Sequence, residues 1–254
     1  MNKLLNRVPE ITLFFWIIKV LATTVGETAA DFLAVNLNLG LTNTSYVMGG
    51  LLILALLVQF IVIKKYVPAS YWIAVVLMSI VGTLITDNLV DNMGVSLETT
   101  TVIFSIALAM VFVLWYYSEQ TLSVHTIYTA KRELFYWAAI LFTFALGTAS
   151  GDLLAEGLAL GYGTSAIIFL AVIGLIAAAH FYLKLDAILA FWLAYILTRP
   201  LGASIGDLLS QSTGDGGLGL GTVGTTAIFL AAILGLVIYL SITKRDQTPV
   251  IETA

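Results

Sequence analysis

Gly147-Thr-Ala-Ser-Gly-Asp152 lies inside the apolar run from Leu134 to Leu160, and its frame recurs as Gly26-Glu-Thr-Ala-Ala-Asp31, Gly82-Thr-Leu-Ile-Thr-Asp87 and Gly202-Ala-Ser-Ile-Gly-Asp207. Upstream of each lies an aromatic-Trp pair: Phe15-Trp16, Tyr71-Trp72, Tyr136-Trp137 and Phe191-Trp192. The first aromatic precedes the Gly by eleven residues and the Gly precedes the Asp by five in every copy. Four ungapped matches to one frame make the chain a tandem repeat. The functional question is why so apolar a repeat keeps an aspartate.

The surroundings are those of a membrane protein. Of 254 residues, 60% are hydrophobic and 10% charged, and the mean hydropathy is +1.02. A soluble domain is about a quarter charged. There is no Cys, which excludes a disulfide scaffold or a thiolate metal site. The net charge of −4 says little about partners, because the charges are segregated by position. Nothing in the composition points to a nucleic-acid partner or a resident cofactor. A homo-oligomer is compatible with it. The basic N-terminus followed by apolar sequence has the look of a signal peptide, but Lys19 interrupts a run that is too long, so an uncleaved first span is expected.

Apolar segments at approximately 11–33, 45–63, 71–91, 99–117, 134–157, 164–182, 187–210 and 224–241 are each close to the ~20 residues that cross a bilayer as a helix. The expected fold is all-α: a polytopic membrane protein of eight transmembrane helices, forming one domain over 1–254. The two-span repeats fall at 11–63, 71–117, 134–182 and 187–241. Two spans per repeat insert every repeat in the same direction, so these are parallel repeats about an axis along the membrane normal. Four such hairpins close into a pseudo-fourfold ring or pair two by two.

Lys3, Arg7, Lys64, Lys65, Lys131, Arg132, Lys184, Lys244 and Arg245 fall in loops of one side, and the loops near 34–44, 92–98, 158–163 and 211–223 contain no Lys or Arg. By the positive-inside rule both termini are expected in the cytoplasm. The Trp residues near the cytoplasmic end of each odd span read first as a membrane-interface belt, with packing between repeats as the other option. The hydroxyl clusters that open the even spans (Asn43-Thr-Ser45, Thr99-Thr-Thr101, Thr164-Ser165, Thr225-Thr226) read as helix caps. The frame Gly suggests a helix break or a close helix contact. Gly214 to Gly221 lacks the Gly-Lys-Ser/Thr of a phosphate-binding loop and reads as a flexible connector.

Fifteen residues from Trp to Asp span about 22 Å of helix, placing the aspartates in the outer part of the membrane. They have company at four-residue spacing, hence on one helix face: Glu27 with Asp31, Asp91 with Asp87, Glu156 with Asp152, and Gln211 after Asp207. Glu27, Asp31, Asp87, Asp91, Asp152, Glu156 and Asp207 are seven of the chain's fifteen acids. Two cations, Lys19 and Arg199, share the odd spans. Even if both pair with acids, five carboxylates remain, and each bare charge costs at least a few kcal/mol in a bilayer. They must be protonated, solvated or neutralised by bound cations.

The seven are therefore the candidate ligands. Carboxylates, Asn88, Gln211 and hydroxyls are hard oxygen donors, suited to Mg²⁺, Mn²⁺ or Ca²⁺. Soft metals are disfavoured, since His125 and His180 both belong to the cytoplasmic end. The expected function is a transporter or channel-like permease for a hard divalent cation, Mn²⁺ or Mg²⁺, with Lys19 and Arg199 competing for the carboxylates. The alternatives are a proton-coupled transporter of a small organic solute and a non-transporting scaffold or sensor. An enzyme is not expected: the glycine-any-glycine-aspartate signature of intramembrane proteases fails at Ala149 and Ser204, and four equivalent acids exceed a catalytic pair.

On Trp16, Trp72, Trp137 and Trp192 with the Gly and Asp positions, the chain over about 11–243 resembles a family of bacterial membrane-anchored proteins built from four tandem two-helix repeats, catalogued largely as of unknown function. The resemblance implies a bacterial inner-membrane location and supplies no substrate.

Overall fold

The computed structural model describes residues 6–247, so Lys3 and the two chain ends lie outside the described residues. Among the described residues eight helices are long and apolar enough to cross a membrane. They are α1 (Leu13–Asp31), α2 (Gly40–Leu57), α3 (Pro68–Asp87), α4 (Leu97–Glu119), α5 (Ala130–Asp152), α6 (Tyr162–Leu183), α7 (Ala187–Ser210) and α8 (Gly221–Thr243). Their lengths follow from uninterrupted apolar runs. Their starts follow from side-chain caps in several cases: Thr12, Ser96, Thr129 and Asp186 each accept an N–H of the first turn. The chain turns out of the even helices through left-handed residues, Gln120, Lys184 and Lys244.

The odd helices form the inner ring. α1 packs against α3, α3 against α5, α5 against α7, and α7 back against α1. Each even helix lies outside, against the odd helix of the following repeat: α2 on α3, α4 on α5, α6 on α7, α8 on α1. The ring is therefore pseudo-fourfold, and the two-by-two pairing is excluded. Burial agrees: the odd spans are mostly buried within the protein, whereas the even spans present most of their surface outward. That surface, including Leu51, Ile53, Leu54, Ile103, Ile167 and Leu234, has the apolar character that lipid requires.

The frame glycine explains how the ring closes. A Cβ added to Gly26 would lie 1.9 Å from Ser79 Oγ, one on Gly82 2.6 Å from Phe144 Cβ, one on Gly147 2.2 Å from Arg199 Cγ, and one on Gly202 1.9 Å from Thr23 Oγ1. Each contacted residue stands three positions before the frame glycine of its own helix. One contact is thus repeated around the ring, and it is the close helix approach that small residues permit in membranes. No helix breaks at these glycines. In the odd helices the departure from regular helix comes just after the aspartate: Asp31, Asp87 and Asp152 are each followed at once by a π-helical turn, Phe32–Asn36, Asn88–Asn92 and Leu153–Gly157, and a further π-helical segment, Val58–Ile63, ends α2 at the basic end. Such turns concentrate at functional sites.

α7 differs. It has Pro200 inside it, and its end is covered by the glycine-rich loop, which donates backbone hydrogen bonds from Gly217, Leu218, Gly219 and Leu220 to the carbonyls of Ser212, Leu208, Gln211 and Leu209. This loop is an ordered cap for the helix carbonyls rather than a loose connector.

Two other expectations are corrected. Trp72, Trp137 and Trp192 are at most 4% exposed and pack between repeats, with only Trp16 partly exposed, so they form no interface belt. The pairs Phe15–Trp72, Tyr71–Trp137, Tyr136–Trp192 and Trp16–Phe191 lock successive odd helices together. The hydroxyl clusters of the even helices do not cap. Thr44, Ser45 and Thr225 bond carbonyls four residues back, while Ser45 accepts from Asn88 and Thr226 donates to Thr28, tying the even helix to the next odd one.

At the end of the ring that carries the Lys and Arg loops, the segment from Asn6 to Thr12 crosses from loop to loop. Arg7 N–H donates to the Ile127 carbonyl, Tyr66 N–H to Asn6, and Glu10 N–H to Asp246. Arg7 forms a 2.5 Å ion pair with Glu133, whose side chain is fully buried. Val8 is buried in the same apolar cluster as Tyr66, Val124 and Ile127. This basic end of the ring is closed.

Candidate functional site

Each odd helix presents to the axis a column of residues four apart. The columns are Phe15, Lys19, Thr23, Glu27, Asp31; Tyr71, Val75, Ser79, Thr83, Asp87, Asp91; Tyr136, Ile140, Phe144, Thr148, Asp152, Glu156; and Phe191, Tyr195, Arg199, Ala203, Asp207, Gln211. Stacked by the fourfold relation, they make levels. At the acidic end come the rim residues Asp91, Glu156 and Gln211, then the four aspartates. Next come Glu27 with Thr83, Thr148 and Ala203, then Arg199 with Thr23, Ser79 and Phe144. Below these lies Lys19, and last an aromatic floor.

The tightest acidic grouping is Glu27, Asp152 and Asp207, from α1, α5 and α7, with one carboxylate oxygen of each within 4.8 Å of the others. Glu27 and Asp207 are buried and Asp152 half-buried. Asp31 and Asp87, both half-buried, share the aspartate level, and every aspartate of that level lies in the electrostatic field of Glu27 and of its fellows. Gln211 Nε2 donates to Asp31 at 3.4 Å. Asp91 and Glu156 are exposed at the rim, where Glu156 accepts from the Tyr162 hydroxyl at 2.9 Å. Of the seven candidate ligands, the structure brings three together within 4.8 Å of one another, places two beside them and leaves two at the mouth.

Arg199 closes the site from below. Its guanidinium is fully buried and donates to Glu27 at 2.7 Å, to the Thr23 carbonyl at 3.3 Å, to the Thr148 hydroxyl at 2.7 Å and to the Thr83 hydroxyl. One side chain thus ties all four odd helices. Among the described residues, Arg199–Glu27 is the salt bridge that reaches the seven acids. The other ion pairs involve Glu133, Glu10 and Glu119, away from the acidic cluster. Six of the seven therefore have no cationic partner, one more than charge counting anticipates.

Lys19 is the correction. It competes for no carboxylate: its Nζ has no hydrogen-bond partner and sits 4.2 Å from the ring centroids of both Phe144 and Tyr195. Its seat is aromatic because α5 and α7 contribute those rings, and cation–π attraction replaces the ion pair. Thr83 and Thr148 carry no charge and stand in no motif of their own. Their signal is positional: they occupy the frame position that holds Glu27 in the first repeat. The histidines stay outside the site, His180 bonded to the Leu185 carbonyl and His125 beside Glu10.

Chemically, the arrangement is a cluster of hard oxygen donors opening at one end, floored by one arginine and then by packed side chains. Comparison with curated proteins and with solved structures found no match. The family described as Repeat of Unknown Function (DUF347) matches four times, at residues 14–64, 70–121, 135–185 and 190–246, in register with the four structural repeats. These matches cover most of the chain, which belongs to that family.

Proposed function

We propose that this multi-pass protein is a permease for a hard divalent cation, Mn²⁺ or Mg²⁺, which Glu27, Asp152 and Asp207 bind directly at the acidic end of the ring. Asp31 and Asp87 raise the local negative field, and Asp91 and Glu156 draw ions to the mouth. One observation carries the reading: three carboxylates from three helices converge within 4.8 Å. Oxygens sharing one ion at 2.0–2.6 Å bond lengths lie no more than about 4–5 Å apart, so little rearrangement is needed. The surplus of acids over bases supports it as well, since a cluster built only for stability would be charge-matched.

Arg199 beneath the cluster argues against an open cation channel, because fixed positive charge on an axis bars cations. An arriving ion instead takes Glu27 from Arg199, and the freed guanidinium loosens its grip on the other helices. Onward movement then requires a second conformation. The reading places the protein in a bacterial inner membrane, with the acidic end outside and both termini in the cytoplasm.

The test is uptake into proteoliposomes enclosing a metal-sensitive dye. The wild type should admit Mn²⁺ or Mg²⁺ saturably, and Asp152→Asn should not. Equal entry into protein-free vesicles, or an unaltered rate for Asp152→Asn, would overturn the proposal.

A further inference from the structure

The residue before each aromatic-Trp pair is Phe14, Ser70, Phe135 and Ala190. At three of these positions a partner from the covering even helix fills the junction. Phe14 packs on Tyr239 of α8 with ring centroids 5.4 Å apart, and Phe135 stacks on Trp115 of α4 at 6.3 Å. Ser70 donates its hydroxyl at 2.7 Å to Gln59 Oε1, in the segment that ends α2. The fourth repeat has only the methyl of Ala190 there, and Ala187 one turn earlier stands where the others have Ile11, Val67 and Arg132. Two small residues thus leave a gap where the other junctions are packed.

The gap is a groove of about 600 Å³, lined by Trp16 and Val20 of α1, Ile173 and Ala177 of α6, and Ala190 and Ala194 of α7. Leu13, Leu170 and Phe181 also line it and are exposed, so it opens on the outer surface of the ring. That surface is the one the spans present to lipid. Along α7 the lining runs from Ala187 at the basic end to Leu201, about 21 Å of helix. A hydrocarbon core of about 30 Å gives about 15 Å to each leaflet, so the groove spans the depth of one leaflet.

We propose that this groove is a phospholipid site: it takes one acyl chain of a lipid from the leaflet at the basic end, with the lipid phosphate beside His125 and His180. The chain does at the fourth junction what Phe14–Tyr239 and Phe135–Trp115 do at two of the others. It fills the space between an odd helix and its neighbours, here on α7, the helix that carries Arg199 and Pro200. The site is independent of the cation reading.

The distribution of polar groups along the groove fits an amphiphile with one polar end. Ser123, His125 and His180 line the basic end, and Lys184 follows α6 there. The acids of that end are engaged: Glu10 lies 3.5 Å from His125, and Asp186 accepts the Leu189 N–H at 2.9 Å. Donors and positive charge at the basic side of a helix bundle are what a lipid phosphate requires. Toward the middle of the membrane the lining is apolar apart from Thr198, whose hydroxyl donates to the Tyr195 carbonyl of its own helix at 2.7 Å. Ordered water needs polar partners and finds none along these walls, whereas the bilayer supplies chains of the right chemistry.

The test is native mass spectrometry and thermal unfolding of the delipidated protein in detergent. The probes are phosphatidylglycerol, its single-chain lyso form and inorganic phosphate. The wild type should bind one molecule of either lipid per chain, melt higher with it and ignore inorganic phosphate. Ala190→Phe restores the ring that the first and third repeats carry; it should bind either lipid at least tenfold more weakly and gain no melting temperature from it. Ala177→Phe closes the groove from α6 and should act alike, which keeps the test decisive where one variant fails to fold. Leu175→Phe, on the outward face of α6, should bind as the wild type does. Wild type that binds neither lipid, or groove variants with wild-type affinity, would overturn the site. Binding of inorganic phosphate without lipid would overturn it too, as would a wild-type dimer that Ala190→Phe turns into monomers, since a second copy would then be the occupant.

Discussion

Replacing Arg199 by Met tests how the acidic cluster is balanced. The methionine keeps the aliphatic stem that fills the space above Gly147, where Arg199 Cβ and Cγ stand 2.5 and 2.2 Å from the position of an added Cβ. Thr83 and Thr148 lose a donor, but each hydroxyl still donates to its own helix, to the carbonyls of Ser79 and Phe144 at 3.2 Å. The cost therefore falls on Glu27, left without its 2.7 Å partner and within 4.8 Å of Asp152 and Asp207. Removing one member of a buried pair costs roughly 3–5 kcal/mol. A divalent ion supplies the missing charge, and binding at a hundred times Kd adds about 2.7 kcal/mol. Arg199→Met should thus melt well below the wild type in metal-free buffer, and Mn²⁺ should raise its melting temperature by more than it raises that of the wild type. Arg199→Met combined with Glu27→Gln should recover most of the metal-free loss, since the stranded charge is gone. Measured by thermal unfolding in detergent, a double variant no more stable than Arg199→Met, with no added response to Mn²⁺ in the single variant, would refute this electrostatic account.

Gly147→Ala forces a methyl against Arg199 and Pro200 Cδ, and overpacking of this kind costs about 1–3 kcal/mol, whereas Gly174→Ala, with open space around it, should gain the helix preference of alanine, up to about 1 kcal/mol. Opposite signs in the two melting curves are expected, and equal stabilities would contradict the close-packed ring. For Asp246, a raised carboxyl in the folded state means that the native protein binds the proton more tightly than the unfolded chain, so its contribution is greatest at low pH and is lost as pH rises from the ordinary carboxylate range through the raised value. Asp246→Asn should therefore be more stable than the wild type at neutral pH and lose that advantage in acid, as read from melting temperatures across pH. The chain lacks cysteine, so a single introduced residue reports topology. Asp215→Cys should react with an impermeant maleimide from outside intact cells, and reaction only after the cytoplasmic face is opened would reverse the orientation.

Much of the fold is written in composition and spacing. Eight apolar runs give eight helices, and an invariant five-residue step from Gly to Asp gives four equivalent acids at one level of a ring. The four-residue steps that pair Glu27 with Asp31 and Asp152 with Glu156 are the visible end of columns that continue down the axis. Periodicity names the face of a helix but not the neighbour it meets. The seat of Lys19 is therefore invisible locally, because Phe144 and Tyr195 come from helices more than a hundred residues away. Trp72 and Trp137 stand at a sequence depth that suits a lipid interface and an inter-repeat contact equally, and only the ring decides between them. Likewise each even helix packs mainly on the next repeat, a choice set by how the frame glycines bring α1, α3, α5 and α7 together. Arg199 is legible as a charge inside a span, but its four partners on three other helices are a product of closure.

The claim that matters most is that Glu27, Asp152 and Asp207 hold a hard cation. Calorimetric titration of the purified protein with Mn²⁺ tests it directly against two variants of equal charge change. Asp152→Asn/Asp207→Asn should weaken binding at least a hundredfold, while the rim pair Asp91→Asn/Glu156→Gln should change it by no more than a few-fold. Wild-type protein that takes up no Mn²⁺ or Mg²⁺, or a rim variant that loses binding while the buried variant keeps it, would contradict the account.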